Sequence, residues 1–162
     1  MHSSHFPSQN SADDARAKKF EAITLDAIEP GRQQSEIEHH YKSQGTEAGY
    51  ISSVDRSFRT VKENDGWFGY RVKFEKGKEY KIVVTVLGSD KGSISLSYDG
   101  KEIGSLPNDG SKGDTLLDLE LPVSKDFVND VCSGKKLGRK ELRFTAKDSQ
   151  SSLRLLEVRL TK

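Results

Sequence analysis

The chain has 162 residues, which is enough for one domain with a buried core. Its 26 lysines and arginines nearly balance its 25 aspartates and glutamates, so no overall field would draw it to nucleic acid or to an anionic membrane. No apolar run approaches the length that spans a bilayer, and the one cysteine, Cys132, can form no internal disulfide and has no histidine near it in sequence to activate it.

The N-terminal part of the chain is polar and shows no apolar period. It predicts a tail or linker over residues 1–20, with a short helix over 12–20 left open, followed by a folded domain over 21–162. The first strand of that domain is predicted over 23–28.

The segment after the first strand carries helix signals. Ser35 and Glu38 fit the capping box that starts many helices, and Ile37 and Tyr41 are four residues apart, on one face of a helix. This pattern favours a short helix over 33–43, and an extended loop is the alternative.

A loop is predicted over 45–55 and a strand over 57–62, followed by a meander of alternating apolar and polar residues from 65 to 105. This period of two is what a half-buried strand requires. The last two strands of the meander are joined by Asp99-Gly100, a dipeptide that tolerates positive φ at both central positions of a type I′ turn.

The last third of the chain continues the pattern. Strands are predicted around 117–121, 142–146 and 156–160, Ser124 is predicted to cap a short helix, and 133–140 is predicted to be a loop. Short strands with turn signals between them predict an all-β fold, an antiparallel β-sandwich of jelly-roll type. The predicted core comprises Phe68, Tyr70, Val72, Ile82, Val84, Leu96, Leu119, Leu142, Phe144 and Val158.

Two motifs occur in the meander: Trp-x-x-Tyr-x-Val over residues 67–72, and Gly-x-Ile-x-Leu-x-x-Asp-Gly-Lys-x-Ile-Gly over 92–104. Together they resemble the family 6 and family 35 carbohydrate-binding modules. The resemblance implies a galactose-binding-domain-like jelly roll.

Four further motifs follow one another along most of the chain. They are Glu29-Pro30-Gly31-Arg32-Gln33-Gln34-Ser35-Glu36-x-x-His39, Phe58-Arg59, Gly66-Trp67-Phe68-Gly69-Tyr70 and Glu157-Val158-Arg159-Leu160. From Ile23 to Leu160 the chain thereby resembles, more closely, the C-terminal β-sandwich domain of family 127 glycoside hydrolases, the β-L-arabinofuranosidase-like enzymes. Asp65 and Gly69 depart from the Gly-Gly-Trp-Phe-Ser-Tyr that is usual in that family.

Such enzymes keep their chemistry in a separate helical barrel, and nothing in this chain resembles that barrel. The resemblance therefore implies that the isolated chain is not an enzyme but a non-catalytic, carbohydrate-binding-like accessory domain of a secreted, polysaccharide-degrading glycoside hydrolase, periplasmic or extracellular. The implied partners are a plant-type polysaccharide or oligosaccharide and the catalytic domain of the same parent enzyme. The alternative is a purely structural domain that packs against a catalytic barrel and binds no free sugar.

Sugar binding needs an exposed aromatic face for the C–H surface of the ring and a few fixed polar groups for its hydroxyls. Trp67, Tyr50 and Tyr41 are the candidate aromatic residues. For Trp67 the favoured alternative is a core position, and for the two tyrosines it is that of ordinary, partly exposed loop residues.

Glu36, His39 and Arg59 are the candidate polar residues of the binding site. A buried hydrogen-bonded network in which Glu36 and His39 hold the loop in place, with Arg59 as a candidate partner, is the preferred interpretation of this group, because the resemblance places them in the family's motif without a catalytic role. Two or three ligands without a fourth make a poor transition-metal site, so neither a metal ion nor another cofactor is predicted.

A structural calcium ion is common in related sandwiches, and it would need carboxylate oxygens. The spacing of acidic residues here is not that of a calcium-binding loop. The carboxylates that could serve are those of Asp26, Glu29 and Asp118.

Overall fold

A computed structural model describes residues 15–133, 138–146 and 153–162. In these ranges three helices occur, α1 at residues 15–21, α2 at Gln33–Glu38 and α3 at Lys125–Val131, and none is long and apolar enough to cross a membrane. The strands are β1 Thr24–Ile28, β2 Lys42–Gln44, β3 Thr46–Ile51, β4 Arg56–Val61, β5 Trp67–Val72, β6 Tyr80–Leu87, β7 Lys91–Tyr98, β8 Lys101–Asp109, β9 Leu116–Val123, β10 Lys140–Thr145 and β11 Glu157–Thr161.

The strands form a β-sandwich. A four-stranded sheet has the order β1-β11-β6-β9, a five-stranded sheet has the order β2-β5-β10-β7-β8, and β3 and β4 form a separate hairpin. Every pairing between these strands is antiparallel. The predicted all-β sandwich of jelly-roll type is confirmed.

The core lies between the two sheets and follows from the period-two alternation. Phe68 on β5 is opposite Phe144 on β10, and their rings stack with centroids 5.1 Å apart. Nine of the ten predicted core residues are buried; the tenth, Leu119, is only partly buried because it lies on β9, the edge strand of the four-stranded sheet.

Local turn and cap signals were partly correct. Asp99 and Gly100 both have positive φ, 51° and 85°, in the turn between β7 and β8, and Ser124 accepts the amide of Phe127 at 3.1 Å as the cap of α3. The capping box at Ser35 is wrong, because its hydroxyl accepts the amide of Glu29 at 2.9 Å instead. The helix predicted over 33–43 is shorter than expected and ends at Glu38. Lys42 and Ser43 belong to β2 instead.

The predicted loop over 45–55 contains a strand. β3 pairs with β4 in register from Thr46 opposite Val61 to Ile51 opposite Arg56. Much of β3 is exposed, so it lacks the apolar alternation that marks the other strands.

The helix α1 packs on the outer face of the four-stranded sheet. Phe20 is 1% exposed, and the guanidinium of Arg16 donates to Asp118 of β9 and to Thr85 of β6, each at 2.8 Å. Residues 15–20 therefore pack against the sandwich although the sequence assigned them to a tail. The rest of the predicted tail, and residues 134–137 of the predicted loop, lie outside the described residues.

Candidate functional site

Three of the six candidate residues meet beside α2 together with a core tyrosine. The carboxylate of Glu36, 4% exposed, accepts the Nε and Nη2 groups of Arg59 at 2.7 and 2.9 Å and the hydroxyl of Tyr70 at 2.6 Å. The ring of Tyr41 lies 4.3 Å from the guanidinium carbon of Arg59. We call Glu36, Tyr41, Arg59 and Tyr70 the Glu36 cluster.

The hydrogen-bonding groups of Arg59 are all satisfied within the protein. The third guanidinium nitrogen of Arg59, Nη1, donates to the hydroxyl of Thr46 at 2.9 Å, so each nitrogen of the group has an internal acceptor. Tyr41 is half-buried between this guanidinium and the Tyr70 ring, whose centroid is 6.0 Å away. This arrangement leaves little for a sugar hydroxyl to bind, and it joins α2 to β4 and β5.

The charges of the cluster oppose acid–base chemistry at neutral pH. Burial acts to raise the pKa of Glu36, but the hydrogen bonds from Arg59 and Tyr70 outweigh it and lower that pKa. Burial, together with the charge of Glu36, raises the pKa of the Tyr70 hydroxyl. A carboxylate held ionised between a guanidinium and a neutral phenol is an ion pair, not a poised general base.

His39 ties α2 to the first strand. Its Nε2 lies 2.7 Å from Oδ1 of Asp26 on β1, and its Nδ1 lies 2.8 Å from the carbonyl oxygen of Ser35. The hydrogen bond with Asp26 raises the pKa of His39, and burial acts against it more weakly. With an acceptor at each ring nitrogen, the charged imidazolium fits this position best.

This pair predicts a pH dependence of stability. The pKa of folded His39 lies above the ordinary 6.5, so its contribution is fully present below that pH and is lost as the pH rises through the folded value. Urea unfolding of the wild type and of Asp26→Asn, from about pH 5.5 to 8.5, measures it. The stability advantage of the wild type should shrink with rising pH, and a constant advantage across the range would contradict the assignment.

The three carboxylates considered for calcium lie in different environments. Asp26 binds His39, Asp118 binds Arg16, and Glu29 pairs with an arginine of its own loop. In the ranges that the structure covers, no group of three or more His, Cys, Asp or Glu side chains is placed to hold a metal ion.

Tyr50 lies on β3, not in a loop, and its side chain is 60% exposed. The register places it opposite Ser57, on the same side of the β3–β4 hairpin as Arg59. Its hydroxyl donates to the carboxylate of Asp55. A single exposed aromatic residue of this kind is common on protein surfaces.

Trp67 lies on the outer face of the five-stranded sheet. Its neighbour Phe68 points into the core, so the indole points the other way and is half-buried. The guanidinium carbon of Arg143 is 3.7 Å from its ring, and the Nε of Arg143 donates to Glu141 at 2.8 Å. The favoured prediction that Trp67 lies in the core is wrong. Trp67 and Phe68 are adjacent on one strand and must face opposite sides of the sheet, and this alternation could have excluded the core position.

Hydroxyl side chains continue this surface across the sheet. Thr145 of β10 lies opposite Trp67 and also opposite Ser95 of β7, which faces Ser105 of β8 with hydroxyl oxygens 3.0 Å apart. Thr145 and Ser105 are half-buried, whereas Ser95 is only 7% exposed. Next to the indole, Gly69 contributes no side chain, and a Cβ there would lie within 3.0 Å of Glu141. The surface beside the Trp67 indole therefore carries short, polar side chains and no side chain at Gly69. We call Trp67, Glu141, Arg143, Thr145, Ser95 and Ser105 the Trp67 face.

Sequence reasoning missed Arg143 and Glu141 as members of this surface. Both are on β10, whose alternation places Leu142 and Phe144 in the core and therefore leaves them on the outer face. The pairing of β10 with β5, which brings Arg143 opposite Gly69, was not evident from either strand alone.

A model of a family described as "Family of unknown function (DUF6805)" matches residues 19–161. No curated protein matches the chain. Similar solved structures include the C-terminal CBM6 of LamC, a marine laminarinase from Zobellia galactanivorans, with 16% identity over 85% of this chain and 98% of that one (TM-score 0.57). CBM6cm-2 from Cellvibrio mixtus lichenase 5A, in complex with cellotriose, has 15% identity over 86% and 98% (TM-score 0.59).

A family 35 carbohydrate-binding module from Clostridium thermocellum is 8% identical over 84% of this chain and 98% of that one, with a TM-score of 0.56. At these identities the likeness shows the fold alone. The resemblance to family 6 and family 35 modules is confirmed at that level.

Proposed function

This chain belongs to the DUF6805 family, whose function is unknown, and we propose that it is a non-catalytic carbohydrate-binding domain that holds a glycan against the Trp67 face. The observation that carries the proposal is the outward indole of Trp67, placed between the Arg143–Glu141 pair and the half-buried Thr145 on the outer face of the sheet.

The chemistry of this face suits a sugar. The indole and the guanidinium of Arg143 form a stacked platform for the C–H surface of a ring. The carboxylate of Glu141 and the hydroxyl of Thr145, both on half-buried residues, supply acceptors and a donor for sugar hydroxyls. The side chains of Arg143 and Glu141 are 40% and 26% exposed, so both can reach a ligand.

The ligand class is supported by what similar folds bind. One similar module is in complex with cellotriose and another, from Clostridium cellulolyticum, is in complex with xylose. We therefore propose an oligosaccharide or polysaccharide as the ligand of this chain. The chain itself carries out no reaction in this proposal.

The sequence resemblance to the family 127 domain supports a more specific context. We propose that the domain accompanies the catalytic domain of a secreted glycoside hydrolase, periplasmic or extracellular, and directs it to plant-type, arabinose-containing polysaccharide. The weak platform, with one tryptophan under an arginine, predicts dissociation constants of order millimolar, or roughly 4 kcal/mol.

A second candidate function is a structural domain that packs against a catalytic barrel. It is favoured by two large apolar side chains, Ile37 on α2 and Tyr50 on β3, which are 65% and 60% exposed. A partner domain that covered them would remove apolar surface from water.

NMR shift perturbation on the isolated chain separates the two candidates. Arabinan, arabinogalactan and pectic oligosaccharides are added in turn to the labelled protein. The carbohydrate-binding function predicts shifts at the Trp67 indole N–H and at the amides of β10. No shift with any glycan, together with shifts around Ile37 and Tyr50 on addition of a separately expressed catalytic domain, would establish the structural role instead.

A further inference from the structure

A groove opens at the end of the sandwich where β6 begins and β9 ends. It consists of two cavities of about 450 and 430 Å³, which share Glu79, Tyr80 and Lys162 in their walls. Trp67 begins β5, whereas Tyr80 begins β6, the next strand of the meander, which runs in the opposite direction. The groove therefore lies toward the end of these strands opposite to Trp67.

The larger cavity has an apolar wall built from both sheets. Ile103 comes from β8, the edge of the five-stranded sheet, and Pro122 and Val123 come from β9, the edge of the four-stranded sheet. Phe127 of α3 completes the wall. Such a wall can contact the C–H surface of a sugar ring, as it can contact other apolar groups.

The rim of the groove is basic. Its lining contains one glutamate, Glu79, and four lysines: Lys78, Lys81, Lys125 and Lys162. Lys78 pairs with Glu75 and Lys81 with Glu120. Across the described ranges, no carboxylate lies within 4.0 Å of the ammonium groups of Lys125 and Lys162.

We propose that this groove is a second binding site, for an oligosaccharide that carries an anionic group, a carboxylate or a sulfate ester. The apolar wall contacts the sugar ring, and the ammonium groups of Lys125 and Lys162 bind the anionic group of the ligand. Cations that line a concave surface raise the local concentration of anions, and no basic cluster of this kind lies at the Trp67 face, where Arg143 is paired with Glu141. The proposal does not depend on neutral glycans binding at Trp67.

The test is an NMR titration of the full chain with trigalacturonic acid, with its fully methyl-esterified form, and with a sulfated galactose tetrasaccharide. The acid should shift the amides of Phe127, Ile103 and Lys125, and its affinity should fall with added salt. Exchange of both lysines, Lys125→Gln with Lys162→Gln, should weaken binding about tenfold, while Lys112→Gln, at the other end of the molecule, should leave it unchanged.

The probes distinguish the sources of charge. Shifts in the groove with the acid alone assign a carboxylated sugar, and shifts with the sulfated sugar alone assign a sulfated one. The proposal is overturned if neither anion shifts the groove amides, or if the methyl ester binds as tightly as the acid. Because the Trp67 indole is read in the same spectra, failure at the groove is distinguishable from failure at the Trp67 face.

Discussion

Replacing Glu36 with alanine is expected to lower the free energy of unfolding by about 3 kcal/mol. The change removes the carboxylate that accepts two hydrogen bonds from Arg59 and one from Tyr70. The side chain of Arg59 is only 12% exposed, so its charge would remain buried without a countercharge. Urea denaturation at neutral pH measures the effect.

A matched control lies two residues along the same helix. The side chain of Glu38 is exposed and accepts one hydrogen bond, from Gln34 at 3.3 Å, so Glu38→Ala should change stability by no more than about 0.5 kcal/mol. The double variant Glu36→Ala with Arg59→Met should be more stable than the sum of the two single changes predicts, because the unpaired charge is gone. Equal losses for Glu36→Ala and Glu38→Ala would contradict the structural role of the cluster.

Replacing Trp67 with alanine is expected to reduce glycan affinity at least tenfold, a loss of about 1.4 kcal/mol. The platform of the Trp67 face consists of this indole and the guanidinium above it. Without the indole, Arg143 loses the surface that orders it, and the sugar loses its stacking partner. Isothermal titration with the best ligand of the NMR screen measures the loss.

Two comparisons make that result specific. Tyr50→Ala removes the most exposed aromatic side chain of the described residues, on the separate β3–β4 hairpin and not part of this face, and should leave the affinity within about twofold of the wild type. Trp67→Phe retains an aromatic ring and should lose less affinity than Trp67→Ala. An affinity that depends on Tyr50 and not on Trp67 would move the site to the hairpin.

The sequence predicted the sandwich because its signal is local. Residues such as Phe68 and Phe144 alternate with polar neighbours along their own strands, so the core face of each strand can be identified without knowing its partner. The strand β3 lacked this signal, since half of its residues are exposed and only Ile51 is buried. Its existence follows from pairing with β4, which is a tertiary property.

The pairing of Glu36 with Arg59 was predicted, but the partners Tyr70 and Asp26 were not. Tyr70 was predicted as a core residue, and its buried hydroxyl is satisfied by Glu36; a buried tyrosine usually needs such a partner, which was the available signal. Asp26, 13 residues from His39, reaches it only because β1 lies next to α2 in the fold. The capping box failed because α2 begins at Gln33, so Ser35 lies inside the helix, and its hydroxyl accepts the amide of Glu29 in the preceding loop. The family 127 context stays a prediction.

The most direct test of carbohydrate binding uses the intrinsic fluorescence of the chain. Trp67 is its only tryptophan, so emission excited at a wavelength that tyrosine does not absorb reports on the proposed platform alone. Titration with arabinan, arabinogalactan and pectic oligosaccharides should produce, with at least one glycan, a saturable change in emission with a midpoint of order millimolar. An emission spectrum that none of these glycans changes, for a protein shown by NMR to be folded, would contradict the account.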